Sequence, residues 1–325
     1  MLPIAVDALG GDRAPAEIVA GAVHASRELG IPVLLVGPPD LIGDPQGLEI
    51  LPCTEVIDMH EEGARAVRRK KDSSLVVAAE AVRDGRASAM VSAGNTGATV
   101  TAGLLRMGRL PGVSRPAIAT PIPVPGASPT VLLDAGANAE VQAAWLVQFA
   151  QMGAAYSQAR FGIAAPRVGL LNIGEEDSKG TQLQRDAFAL LREARGIDFI
   201  GNIEGRDLMS SDVDVAVTDG FTGNVALKTL EGGMKFLRDA VFSALMSSDE
   251  AIKASEVLMP LLLPLAAELD PDTFGGAMAL GLNGVCIISH GSSSAKAIVN
   301  ALSVARDLVE GDVVGRVAAA VAPES

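Results

Sequence analysis

Aromatic side chains make up only 3% of this 325-residue chain, with one Trp and one Tyr. The stacking platforms on which single-stranded nucleic acid lies are therefore nearly missing. Basic charge is also scarce: 26 Lys and Arg stand against 39 Asp and Glu, a formal net charge of −13. A phosphate backbone needs a basic surface, so nucleic acid is excluded as a partner. The two cysteines, Cys53 and Cys286, are far apart in apolar surroundings and match no metal spacing. They fit a reducing, cytoplasmic setting. No apolar run reaches the roughly 18 residues of a membrane span; the nearest, Val257 to Ala267, is broken by Pro260 and Pro264. Asp7 and Asp12 interrupt the opening apolar segment, which argues against a secretory leader. Neither Gly-x-Ser-x-Gly nor a Cys-His arrangement occurs, and the first βα turn lacks Gly-x-Gly-x-x-Gly. An activated nucleophile and a dinucleotide fingerprint are both absent from the sequence.

What is present is a layered α/β pattern. Apolar residues form 49% of the chain and glycine is frequent, at 35 residues. Short β-branched runs alternate with helical patterns: Leu2 to Val6, Val33 to Val36, Ala87 to Val91, Val168 to Ile173, Phe199 to Ile203, Val213 to Val217 and Val285 to Ile288 read as strands. Leu48 to Pro52 and Glu55 to Ile57 are weaker strands. Helices are expected over Ala14 to Leu29, Ser73 to Asp84, Ala139 to Ala155, Thr181 to Ala194, Ser293 to Val309 and Val313 to Ala322. The prolines in Pro116 to Pro123 place that strand and Thr130 to Leu133 in an edge or projecting hairpin. The fold class is a three-layer α/β/α sandwich with a mostly parallel sheet, a single domain over 1–325. A helical protrusion, weakened at Gly232-Gly233 and broken by prolines, spans about 229–275.

The stretch from Val213 to Asn224 and on to Leu230 reads as strand, tight turn and helix start, the geometry of an anion site. Asp219, Thr222 and Gly223 belong to the turn, and the amide of Asn224 can donate to a bound oxygen; an ordinary Asn N-cap is the plainer alternative. Similar turns follow other apolar runs. They carry Asp7, Gly10 and Gly11; Ser92, Gly94, Asn95, Thr96 and Gly97; Asp134 and Asn138; Asn172 to Gly180; and Ser289 to Ser293 with His290. In an open parallel sheet the carboxyl ends of the strands share one edge, so these six turns are expected to converge on one crevice. Within Asn172 to Gly180, three acids precede Lys179. Consecutive acids rarely face one metal, so no metal is assigned, whereas Lys179 can offset a phosphate's charge. His290 suits a ligand or a structural hydrogen bond. Arg65, Arg68, Arg69, Lys70 and Lys71 form a local basic cluster in an acidic chain.

Six co-linear motifs carry a resemblance: Asp7 to Asp12, Arg69 to Ser74, Ser92 to Gly97, Asn172 to Gly180, Thr218 to Asn224, and Gly281 to Val285 with Ile288 to Ser293. Together they resemble the bacterial phosphate acyltransferase (PlsX) family from about residue 4 to residue 300, departing from its pattern at Leu9 and Ser294. The resemblance implies attack by inorganic phosphate on the thioester of a long-chain acyl group carried by acyl carrier protein, without a cofactor. The acyl phosphate would feed a downstream glycerol-3-phosphate acyltransferase in phospholipid synthesis. It further implies a fold similar to phosphotransacetylases and isocitrate or isopropylmalate dehydrogenases, a homodimer, and catalytic roles for Lys179 and Asn224. Phosphate is an anion at neutral pH and needs positioning and oxyanion donors more than a strong base.

Because acyl carrier proteins are acidic, Arg68, Arg69, Lys70 and Lys71 become candidates for steering the carrier, with a solvated helix face as the alternative. Leu258, Leu261, Leu262 and Leu265 suit either a dimer contact or reversible contact at the inner face of the cell membrane. Two rival functions stay in view: a metal- and nicotinamide-dependent decarboxylating dehydrogenase on a related fold, and a non-enzymatic adaptor that binds carrier protein at the membrane.

Overall fold

The computed structural model describes residues 1–322. The first half alternates strand and helix: β1 (Ile4–Asp7), α1 (Ala16–Leu29), β2 (Val33–Gly37), α2 (Pro39–Ile42), β3 (Glu49–Pro52), α3 (Gly63–Arg69), α4 (Ser74–Arg83), β4 (Ala89–Ser92) and α5 (Thr96–Ala102), which runs on as a wide turn to Met107. A hairpin follows, β5 (Ala117–Ile122) and β6 (Thr130–Leu133), then α6 (Ala143–Phe161), β7 (Arg167–Leu171), α7 (Gln182–Glu193), β8 (Asp198–Ile203) and β9 (Val215–Val217). Two long helices, α8 (Gly220–Leu245) and α9 (Asp249–Glu268), precede β10 (Ala277–Leu280), β11 (Val285–Ile288), α10 (Ala295–Glu310) and α11 (Val313–Ala320).

One sheet of eleven strands, in the order β3-β2-β1-β4-β11-β10-β5-β6-β9-β7-β8, runs through the described residues. Side chains alternate across it with period two. Ile4 and Val6, Ala89 and Val91, and Val285 and Ile287 enter one apolar core, while Ala5, Met90, Cys286 and Ile288 enter a second on the opposite face. Helices α1, α6, α10 and α11 cover the first face, and α3, α4 and α5 cover the second. Burial on both faces is why these strands read as continuous apolar runs, and the three-layer expectation holds.

The strand directions do not match a uniformly parallel sheet. The β5–β6 hairpin lies near the middle of the sheet, not at an edge, and β10, not anticipated from the sequence, stands beside it. The pairs β11–β10, β10–β5 and β5–β6 are all antiparallel. Three reversals leave β6, β9, β7 and β8 running opposite to β1, β2, β3, β4 and β11. The prolines are tolerated because β10 pairs only with Ala117, Ile118 and Ala119, so Pro121 lies past the end of that ladder. The six polar turns therefore leave two opposite edges of the sheet.

Other boundaries shift for local reasons. Helix α6 begins at Ala143, since Asp134 organises the chain through Asn138 into a loop first. Glu55 makes only an isolated bridge to Ser73. Helix α8 passes through Gly232 and Gly233, and α9 contains Pro260 and Pro264 without ending. The two prolines are four residues apart, so the backbone donors they remove lie on one face of the helix, and the rest of the helix ladder continues. The hairpin tip meets this projection, where the Gly126 N–H donates to Glu268 Oε1 at 2.7 Å.

Candidate active site

A crevice of about 160 Å³ lies over the second face of the sheet, between the start of α5 and the length of α8. Its floor is β5, from Ile118 through Thr120 to Ile122, with Ala277 of β10 and Ile288 of β11 beside it. Gly94, Thr96, His290 and Gly291 close one side; Asn224, Leu227, Lys228, Leu230, Glu231 and Met234 line the other. Turns from the two opposite edges thus meet across the sheet face, because α5 and α8 enter from opposite ends.

The turns after β1, β4 and β11 form one rigid unit. The Ser92 hydroxyl donates to Asp7 Oδ2 at 2.7 Å and accepts the Gly94 N–H at 3.0 Å, while the Leu9 N–H donates to Asp7 Oδ1 at 3.3 Å. Burial pushes the Asp7 carboxyl above its ordinary range, against these hydrogen bonds. A Cβ on Gly10 would stand 2.7 Å from the Gly94 nitrogen, and one on Gly11 would stand 3.1 Å from the Gly291 oxygen, so the three turns touch through backbone. Asn95 caps α5 by accepting from Ala98 at 3.0 Å, and its Nδ2 donates to the carbonyls of Met59 and Glu61, both at 2.9 Å. Asp7, Ser92 and Asn95 thus build the wall, while the exposed Thr96 and Gly97 present its surface.

The turns after β6 and β9 form a second unit. Asp134 is fully buried. Its Oδ1 accepts the N–H groups of Ile118, Gly136 and Ala137, and its Oδ2 accepts the N–H and the Nδ2 of Asn138. Asp219 caps α8, taking the Thr222 N–H and hydroxyl at 2.8 Å each. Asp134, Asn138, Asp219 and Thr222 are thereby committed to holding the loops in shape. A Cβ on Gly223 would lie 1.9 Å from the Asp134 carbonyl oxygen, so only glycine lets α8 start this close to the loop. Asn224, one residue on, is exposed and stands beside Gly136, whose Cβ position is 3.6 Å from the amide. It is the fifth helical residue, not the cap.

The loop after β7 stands apart from this crevice. Lys179 is half exposed, 3.8 Å from Glu176, and is not among the lining residues. Glu175 pairs with Arg206 at 3.1 Å, and the Glu176 carbonyl takes the Asn202 amide, so the loop's polar groups are used at the β8 end. The residue that meets Asn224 in the crevice is Lys228, which the sequence reading missed. The signal available was helical spacing: positions 224, 228 and 231 fall on one face of α8. Lys228 Nζ donates to Glu231 Oε2 at 2.7 Å, and His290 Nε2 lies 3.4 Å from Glu231 Oε1. Burial works to raise the Glu231 carboxyl, yet His290 and Lys228 outweigh it and hold the group below its ordinary range.

Comparison with known proteins turns this geometry into a class. The family described as "Fatty acid synthesis protein" matches residues 2–316. The phosphate acyltransferase of Heliobacterium modesticaldum is 49% identical over 316 residues, covering 94% of each chain. That of Nostoc sp. is 46% identical over 322 residues, covering 95% of this chain and 93% of the relative. The chain belongs to the phosphate acyltransferase family. Among solved structures, a phosphotransacetylase from Streptococcus pyogenes superposes with a TM-score of 0.61 at 17% identity, covering 94% of each chain. A 4-hydroxythreonine-4-phosphate dehydrogenase from Klebsiella pneumoniae superposes with a TM-score of 0.55 at 12% identity, covering 95% of this chain and 100% of the other. At those identities the likeness is one of fold.

For a phosphate acyltransferase, the thiols offer little as covalent nucleophiles. Burial pushes Cys286 up to about 12, and burial, with Asp72 and Asp7 nearby, pushes Cys53 up to about 12 as well. The basic cluster is partly spent: Arg69 and Lys70 both pair with Glu61, and Lys70 also donates to the Val56 carbonyl. Arg68 and Lys71 remain exposed. Helix α3 presses onto the start of α5, where a Cβ on Gly63 would be 2.4 Å from the Ala98 nitrogen. The basic cluster of this chain is thus built against the same turn that lines the crevice. No helix among the described residues is long and apolar enough to cross a membrane.

Proposed function

We propose that this acyltransferase takes a long-chain acyl group from acyl carrier protein and joins it to inorganic phosphate by direct attack. The observation that carries the proposal is the mixed lining of the crevice, in which polar donors stand beside an apolar surface. Thr96, Asn224, Lys228 and His290 supply donors, while Ile118, Ile122, Leu227, Leu230, Met234 and Phe274 form an apolar trough. At about 160 Å³, it holds roughly five waters' volume. That is room for a phosphate and the acyl carbonyl, so a long tail must run out along α8 toward the projection. In the step, a phosphate oxygen bonds to the carbonyl carbon, the Asn224 amide donates to the developing oxyanion, and the C–S bond breaks. The carrier leaves as thiolate and takes a proton from solvent, and the product is a mixed anhydride. In this scheme Lys179 acts on phosphate only if its exposed loop folds over the crevice. Such an anhydride is an activated acyl donor suited to a glycerol-3-phosphate acyltransferase downstream. Incubating the chain with acyl carrier protein thioester tests the proposal: carrier thiol and hydroxylamine-trappable acyl phosphate should appear together and only with phosphate. Release that ignores phosphate, or that requires NAD, contradicts it.

The carrier is acidic, and of Arg68, Arg69, Lys70 and Lys71 the exposed Arg68 and Lys71 are the two with no ion pair among the described residues, placed to steer it toward α5. Reversing both to Glu should lower kcat/KM for the acyl carrier at low salt and flatten its salt dependence, with kcat little changed, since rim charges act mainly on association. An unchanged salt slope removes the patch from docking. The exposed face of α9, with Leu258 at 45%, Leu261 at 72% and Leu265 at 42% relative exposure, together with the half-buried Leu262, calls for a cover. A second copy and a bilayer surface both fit. Changing Leu261 and Leu262 to Glu assigns it: loss of the dimer in sedimentation identifies the partner subunit, whereas lost liposome binding by an intact dimer identifies the membrane.

A further inference from the structure

We propose that Lys228, held in place by Glu231, is a catalytic residue that brings positive charge to the phosphate in the crevice. The inference rests on the phosphate-attack reaction proposed above and concerns which cation serves it. Among the described residues, Lys228 is the one Lys or Arg that lines the crevice. It stands one turn along α8 from Asn224, so the two side chains project from the same face. Its ammonium has three donors, and the 2.7 Å contact with Glu231 Oε2 occupies one, leaving two for an anion.

Glu231 explains why the arrangement must be charged in this way. A carboxylate lining a site for phosphate repels its substrate unless it is neutralised. Glu231 is met on both oxygens: Lys228 neutralises it from one, and His290 Nε2 stands 3.4 Å from the other. The carboxylate orients the ammonium and the imidazole toward the crevice that both line. Lys228 is 52% exposed in its side chain, so an entering phosphate reaches it without opening the fold. During attack the C–O bond to phosphate forms, the C–S bond breaks, and the ammonium offsets charge on the phosphate throughout. Lys179, by contrast, keeps its own pair with Glu176 outside the lining.

A purely structural lysine would serve only to neutralise Glu231, and the two roles separate by substitution. Lys228→Met should lower kcat/KM for phosphate by about 10²-fold or more, the scale of losing one transition-state donor. KM for the acyl carrier should stay within a few-fold of wild type, and Lys228→Arg should recover part of the loss. The deciding protein is the double variant Lys228→Met with Glu231→Gln, in which no carboxylate needs a partner. The proposal expects it to remain as impaired toward phosphate as the single variant, while thermal unfolding returns toward wild type. Recovery of phosphate kinetics in the double variant, or a single variant within about three-fold of wild type, overturns the proposal. A wild-type chain that shows no phosphate-dependent thiol release would sink the underlying reaction instead, which keeps the two failures distinct.

Discussion

Replacing Asn224 with Ala should lower kcat for acyl-phosphate formation by about 10²–10³-fold, with the melting temperature nearly unchanged. The scale follows from removing one preorganised donor aimed at an oxyanion, roughly 2.7–4 kcal/mol of transition-state stabilisation. Stability should be spared because Asn224 is exposed and its amide makes no hydrogen bond within the described residues; Asp219 caps the helix in its place. Asn224→Asp should fare worse. It keeps the volume but replaces a donor with an anion next to the bound phosphate, so KM for phosphate should rise as well. Steady-state kinetics of the two variants provide the check. An Ala variant within about three-fold of wild type removes Asn224 from the oxyanion role.

Asp134→Ala should cost at least about 4 kcal/mol of stability, a large share of the 5–15 kcal/mol that holds a typical domain together. Five N–H donors from Ile118, Gly136, Ala137 and Asn138 converge on a carboxylate with no exposure. Removing it orphans buried donors at roughly 1–3 kcal/mol each, with losses that do not simply add. The damage should spread to the active site, since Gly223 packs on the Asp134 carbonyl and Gly136 on Asn224. Asp134→Asn keeps one acceptor oxygen and should lie between the two. Urea unfolding measures both, and an Ala variant within about 1 kcal/mol of wild type contradicts this account of the loop.

The strand-end turns and the rhythm of elements were legible because each rests on local chemistry. Asp7, Ser92, Asp134 and Asp219 do sit where apolar runs end, and Asn224 does reach the crevice. What local pattern could not supply was direction. β10 is four residues, Ala277–Leu280, between Gly276 and Gly281, and its Ala-Met-Ala-Leu run has no β-branched or aromatic side chain to mark a strand. Without it, and with the prolines of β5 suggesting an edge or projecting hairpin, the pattern reads as a mostly parallel sheet whose strand ends share one edge. One unseen strand and one misplaced hairpin were enough to send six turns to the same edge on paper, when the molecule sends them to two and joins them across a face.

Polar side chains at those turns also divided into two kinds that a sequence cannot separate. Asp134 and Asn95 have the same composition signal as Asn224, yet their hydrogen-bonding capacity is consumed by backbone. Lys179 carried the motif, whereas Lys228 carried only a helix position, and its neighbourhood emerges once α8 is laid over β5. The pattern weakens the long helical region at Gly232-Gly233 and breaks it at Pro260 and Pro264, yet the remaining ladder bonds carry both helices through.

Direct attack by phosphate has one consequence that no covalent mechanism shares. Mixing the enzyme at substrate-like concentration with acyl carrier protein thioester, in buffer stripped of phosphate, should release no burst of carrier thiol; adding phosphate should start release at once. A burst stoichiometric with enzyme in the absence of phosphate would reveal an acyl-enzyme intermediate and contradict the account.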